Sequence, residues 1–141
     1  MKEINGDILN FHSKGEWICI TTNGIVNKSG KSIMGAGIAL QANIRFPDLP
    51  IELGEKIQQV GNIVHIFEKY KIISFPTKNN WWENSDIKLI EDSAKFLSQY
   101  WFGNKNIYLP RVGCGNGKLI WNDVKLILEK YFDDRFIVVN R

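Results

Sequence analysis

Residues 16–46 read EWICITTNGIVNKSGKSIMGAGIALQANIRF, and the way this stretch divides sets the reading of the whole chain. Glu16 to Thr22 is a compact β-favouring run, which predicts a buried strand. Farther on, Ile38, Ala39, Ala42 and Phe46 fall near helical spacing and Pro47 stops the run, so a helix starts near Gly37. Between them lie a turn-rich excursion, GIVNKSGKS, and a glycine loop, Gly35-Ala36-Gly37. Two nucleotide-binding signatures are close by, and both fail on the count. A Walker loop needs a glycine five places before Gly30-Lys31-Ser32, and Gly24 lies one place too far. Gly35 and Gly37 would also fall inside the helix that such a loop opens, where glycine is a poor former. The dinucleotide fingerprint wants a small residue where Leu40 stands. What remains is an anion-accepting glycine loop at a helix N-terminus.

The same alternation continues. PIELGEKIQQV predicts a helix, with Pro50 in its first turn and Gly61 just past its end. NIVHIF and KIISF read as two strands around the turn-like Glu68-Lys69. After the loop PTKNNWWENS, residues 86–102 place Ile87, Ile90, Ala94, Leu97 and Trp101 three or four apart, an amphipathic helix with Ser85 as its N-cap. KNIYLP is a strand, RVGCGNGK a second glycine loop, residues 121–132 a helix whose Trp121 is either core or a wall of the ligand cleft, and RFIVV a closing strand. Strands alternating with helices imply an α/β layered domain around a mostly parallel sheet. Ligands in such sheets bind where strands end and helices begin, so MGAGIA, PTKNNWW and GCGNGK are expected to converge on one edge.

The 141 residues suit one domain spanning 1–141, and 18 basic against 15 acidic residues give a net charge of +3. That balance is too mild to argue for nucleic acid by itself, but it tolerates an anionic ligand. Cys19 sits in an apolar run and Cys114 in a glycine loop, so no disulfide framework is expected and a reducing cytoplasm fits. MKEINGDIL is neither a signal peptide nor a membrane span, and no membrane partner is expected. His12 and His65 are isolated, so neither a metal nor a cofactor is expected.

Small residues let backbone N–H groups approach a phosphate. Two loops of this kind, Gly35-Ala36-Gly37 and Gly113-Cys114-Gly115-Asn116-Gly117, could hold a diphosphate from both sides; the alternative is a pair of tight turns. In chain order, GDIL, TTNG, MGAGIALQ with RFP, FPTK and LPRVGCGNGKLIW resemble a macrodomain, the ADP-ribose-binding fold, over nearly the whole chain. FPTK together with GCGNG is similar to the branch that removes ADP-ribose, including antitoxin macrodomains that strip it from thymidine in DNA. The resemblance implies a three-layer α/β/α fold with a central mixed, mostly parallel sheet. It implies a ligand or substrate that is ADP-ribose or an ADP-ribosylated protein or DNA. A monomer is the working expectation.

Carried over position by position, Asp7 resembles the acidic residue that accepts from the adenine amine, with the Ile8 amide beside it; otherwise Asp7 is a turn residue after Gly6. Gly35, Ala36, Gly37 and Ile38 match the loop around the diphosphate and distal ribose, and Gly113 to Gly117 match the second diphosphate loop. Thr22, Asn23 and Thr77 fall at ligand-facing positions, although Asn23 serves equally as a turn residue. Thr21 stands where the family's strand ends in asparagine, and residues 24–32 look like an insertion relative to the antitoxin branch. Lys78 of FPTK matches an essential lysine that in some members attacks C1″ of the ribose. An amine beside an opened, aldehyde-like ribose can form a Schiff base when its surroundings favour the neutral form. As one of 18 basic residues, Lys78 is otherwise a phosphate partner or a solvated side chain.

Some glycohydrolases of this type carry an aspartate at the place of Gly117, so a carboxylate here would come from elsewhere, with Glu83 a candidate. Cys114 at a helix N-terminal loop is a rival nucleophile, but a spacer between glycines is the simpler reading. Trp81 and Trp82 cannot both fill the core of an extended loop. One could stack on a base or line the leaving-group side; the alternative has both partly buried against the following helix. Three functions follow: a hydrolase acting at C1″, a reader that binds ADP-ribose without chemistry, or a phosphatase for ADP-ribose 1″-phosphate.

Overall fold

A computed structural model describes residues 1–141. Six strands and five helices alternate: β1 (Lys2–Asn5), α1 (Ile8–Ser13), β2 (Trp17–Thr22), α2 (Gly37–Arg45), α3 (Leu49–Val60), β3 (His65–Phe67), β4 (Ile72–Pro76), α4 (Ile87–Ser98), β5 (Ile107–Leu109), α5 (Trp121–Leu128) and β6 (Phe136–Asn140). The strands form one sheet in the order β1-β6-β5-β2-β4-β3. Only the β3–β4 pair is antiparallel, because Glu68 to Lys71 make a tight reversal between them. Every other pair is parallel, joined through helical crossovers.

Side-chain alternation along the central strands builds two cores. Cys19, Ile73, Phe75, Ile107, Leu109, Phe136 and Val138 point to the face covered by α4 and α5. Ile18, Ile20, Ile72, Tyr108, Ile137 and Val139 point to the face covered by α2 and α3. Runs buried at nearly every position, such as WICI and IISF, are what a sheet covered on both faces requires, and the three-layer expectation holds. No helix is long and apolar enough to cross a membrane.

Local differences have local reasons. The N-cap of α4 is Asp86, not Ser85: its carboxylate accepts from the amides of Lys88 and Leu89. Helix α4 ends at Ser98 rather than Phe102, and Trp101, expected on its apolar face, is 70% exposed beyond it. Helix α5 stops at Leu128 instead of continuing to Phe132. Trp121 is only half-buried; its Nε1 donates to Glu3 at 2.9 Å and Arg111 stacks on its ring. Two elements had no sequence signal. KEIN is a four-residue edge strand with one half-buried side chain, too polar to show alternation, and α1 is a short helix capped by Asp7.

Candidate active site

Strands β5, β2 and β4 lie side by side and parallel, so their C-terminal ends share one edge. From β2 the chain runs to β4 on one side and later to β5 on the other, which makes β2 the switch point where such sheets open a crevice. The loops that follow these three strands line one cleft of about 920 Å³. The expected convergence is found.

The first loop arrives through the excursion 24–32, a small hairpin closed by a Val26–Ser32 bridge. It packs on α3, where an added Cβ at Gly54 would collide with the Gly30 carbonyl. Ala36 then precedes α2 in extended conformation without a side-chain cap, so the first-turn amides of α2 face the cleft unmasked. Gly37 has φ +56, a conformation that disfavours a side chain. The second loop faces the first: a Cβ added at Gly37 would lie 4.0 Å from Asn116 Nδ2.

Between them these loops present a set of free donors. The amides of Gly35, Ala36, Gly115, Asn116 and Gly117 donate to no carbonyl of the chain. Gly35 and Gly115 also have open space where a side chain would stand and no positive φ. The chain's own packing therefore does not demand glycine at either position.

Lys78 follows β4 and reaches across to the second loop. Its Nζ donates to the Trp81 carbonyl at 3.4 Å and to the Asn116 carbonyl at 3.5 Å, and it forms no ion pair. Glu83, the carboxylate considered as its partner, accepts instead from Asn80 Nδ2 at 2.5 Å. Trp81 and Trp82 line the same cleft edge-to-face with centroids 5.5 Å apart. They are 55% and 63% exposed, so neither fills the core.

Most residues named from sequence come together here: Thr22, Asn23, Gly35 to Ile38, Thr77, Lys78, both tryptophans, Gly113 and Gly115 to Gly117 line the cleft. Asp7 and Ile8 line an adjoining cavity of about 190 Å³ that shares Gly37, Ile38 and Pro110 with it. Asp7 Oδ1 accepts from the Leu9 amide at 3.0 Å, and Oδ2 lies 3.9 Å from Arg141. Asn23 is a turn residue: Oδ1 accepts from the Ile25 amide and Nδ2 donates to the Ile33 carbonyl, each at 3.0 Å.

Cys114 is the clear correction. It lies outside the cleft lining, its amide donates to the Arg111 carbonyl and its thiol to the Val112 carbonyl. Burial pushes the thiol's pKa up, with Arg111 opposing weakly, so it is neither a thiolate nor a ligand-facing donor. Gly117 has no room for a side chain, since a Cβ would strike the Ser85 hydroxyl and the Gly113 carbonyl. An aspartate there would force the loop to shift.

Sequence reading missed Arg111 and Lys118, which add positive charge to the rim; their place beside GCGNG was the available signal. Ser85, expected as a cap, is buried with an unpartnered Oγ under the second loop. No group of three or more His, Cys, Asp or Glu side chains comes together to hold a metal ion.

No family model matches the sequence. A DNA ADP-ribosyl glycohydrolase of Thermus aquaticus is 34% identical over 104 residues, covering 66% of this chain and 29% of that protein. The chain spans 29–38% of the length of the curated relatives it matches. Among solved structures, the macrodomain of Mycobacterium tuberculosis DarG superposes with a TM-score of 0.81 at 25% identity, covering 99% of this chain and 97% of that one. The DarTG protein of Thermosipho africanus, solved with ADP-ribose, matches with a TM-score of 0.78 at 20% identity, over 97% of this chain and 40% of that one. The chain has the macrodomain fold and is similar in sequence and structure to the DarG macrodomains.

Proposed function

We propose that the cleft binds ADP-ribose and that the chain releases it from a modified macromolecule, ADP-ribosylated DNA being the favoured substrate. The observation that carries this reading is the pair of donor-lined loops facing each other in one cleft, with Lys78 bonded to the second of them. Five amides without an acceptor, the uncapped N-terminus of α2 and the cations of the rim all favour a diphosphate. In this reading the adenine takes the smaller cavity that Asp7 lines, with the Asp7 carboxylate accepting from its amine. The Thermus relative is a DNA ADP-ribosyl glycohydrolase by name, and the Thermosipho structure holds ADP-ribose; both agree with this ligand.

In the proposed reaction the unprotonated amine of Lys78 attacks C1″ of the distal ribose. The bond from C1″ to the base nitrogen breaks and its electron pair leaves with the base, which takes up a proton. The adduct loses its amine proton and the ribose ring opens to an imine. Water then adds to the imine carbon, expelling the lysine amine and releasing ADP-ribose. Trp81 and Trp82 line the side by which the base leaves and offer it a stacking surface worth about 1–3 kcal/mol.

The absence of a carboxylate beside Lys78, with Gly117 closed to one, favours a second reading, a module that binds ADP-ribose and does no chemistry. A substrate panel separates the two. Release of ADP-ribose from a modified single-stranded oligonucleotide supports the hydrolase. Binding of ADP-ribosylated DNA and acidic peptides without cleavage of any supports the reader. Faster release of phosphate from ADP-ribose 1″-phosphate than of ADP-ribose from any conjugate would move the activity to phosphate-ester hydrolysis.

A further inference from the structure

We infer that Asn62 is the positioning residue for Lys78, an inference that rests on the catalytic role proposed for that lysine. Asn62 follows α3 by two residues and lies 16 positions from Lys78 in the chain. Its Nδ2 donates to the backbone carbonyl of Lys78 at 2.9 Å and to Asn79 Oδ1 at 3.1 Å. From the other side, the Gly24 amide donates to the Asn79 carbonyl at 3.0 Å. Three neighbouring strands thus send one residue each into a single clamp: Gly24 after β2, Asn79 after β4 and Asn62 just before β3.

The clamp explains a glycine that backbone geometry does not require. Gly24 has no positive φ, yet a Cβ there would lie 2.9 Å from Asn62 Cγ and Nδ2 and 3.1 Å from its Cβ. Because the Asn62 Cβ is also crowded, a rotation of the amide alone cannot relieve the contact. Glycine at 24 is what lets Asn62 close on the lysine's backbone.

Little else fixes the reacting amine. Its two carbonyl contacts are long, at 3.4 and 3.5 Å, and exposed to water. The backbone of Lys78 must therefore be held from behind, and reaction rates respond steeply to misplacement on the ångström scale. Asn62 touches no reacting atom; it sets where the amine starts from.

The test uses the full chain. Asn62→Ala is expected to lower kcat for ADP-ribose release on the order of tenfold or more, with KM and the Kd for ADP-ribose within about twofold of the parent. Asn62→Asp, which sets a carboxylate against the Lys78 carbonyl, loses at least as much. Gly24→Ala displaces the same side chain and should give the same split between kcat and KM. Combined with Asn62→Ala it should cost no more than Asn62→Ala alone. Unchanged kcat in a folded Asn62→Ala protein, or fully additive losses in the double variant, overturns the inference.

A second readout does not depend on hydrolysis. The free C1″ aldehyde of ADP-ribose condenses with an amine with loss of water, and cyanoborohydride delivers hydride to the imine to leave a stable secondary amine. Mass spectrometry should find this adduct on Lys78 of the parent and less of it in Asn62→Ala, by a factor similar to the loss in kcat. An adduct on the parent without cleavage of any conjugate defeats the proposed hydrolase and leaves the positioning role standing. Equal adduct in both proteins removes the positioning role whatever the hydrolysis assay gives, and neither adduct nor turnover in the parent removes both.

Discussion

At residue 117 the Ser85 hydroxyl and the Gly113 carbonyl occupy the space a side chain would need, and Gly113 itself is held at φ +77 against Ile90 and Leu119. The second glycine loop is thus packed from beneath while its amides stay free above. Gly117→Asp should not create a catalytic carboxylate. It should lower stability by about 1–3 kcal/mol, as overpacking does, and weaken ADP-ribose binding with it; an unchanged melting temperature would show that the loop has slack. Cys114 gives the opposite expectation. Its half-buried thiol donates to a backbone carbonyl, so Cys114→Ala should keep kcat within about twofold. A loss approaching that of a lysine variant would reinstate it as a nucleophile. Both residues were visible in GCGNG as letters, but which of them lined the cleft was not. Sequence spacing cannot say which amides of a turn are spent within the turn.

Among the elements, the two loops differ from ordinary tight turns in what they leave unsatisfied. Gly35→Ala and Gly115→Ala place a methyl group into open space without a positive φ, so thermal melts should match the parent to within a degree or two. ADP-ribose affinity should still fall, because the methyl stands where a phosphate must approach. Unchanged affinity in calorimetry would mean that the ligand lies elsewhere. The turn between α3 and β3 has its own pH dependence. Burial, with a smaller push from Lys56, lowers the pKa of His65 below the ordinary imidazole value of 6.5, while its bond to the Gly61 carbonyl opposes the shift. The folded state therefore binds this proton less readily than the unfolded chain. The stability it contributes is present above pH 6.5 and is lost as pH falls below it. Melts at pH 8 and pH 5.5 should show that loss, and His65→Gln should reduce it; an identical slope in the variant would assign the loss to other groups.

The molecule is a sheet buried on both faces whose cleft is built by the loops after three strand ends. Much of this was legible in sequence, because continuous apolar strands alternate with helices of period 3.6 and because FPTK and GCGNG are distinctive. The rest depends on tertiary contact. KEIN is too short and polar to announce an edge strand, Asn62 gains its meaning only where α3 delivers it to Lys78, and the exposure of Trp81 and Trp82 follows from how the loop leaves β4. The central claim is that one cleft holds the diphosphate while the amine of Lys78 attacks at the sugar end. Its most direct test compares release of ADP-ribose from an ADP-ribosylated single-stranded oligonucleotide by the parent and by Lys78→Ala, with ADP-ribose affinity measured on the same preparations. The account predicts a loss of turnover on the order of a hundredfold or more in the variant, with ADP-ribose still bound. Turnover at the parental rate in Lys78→Ala would contradict it.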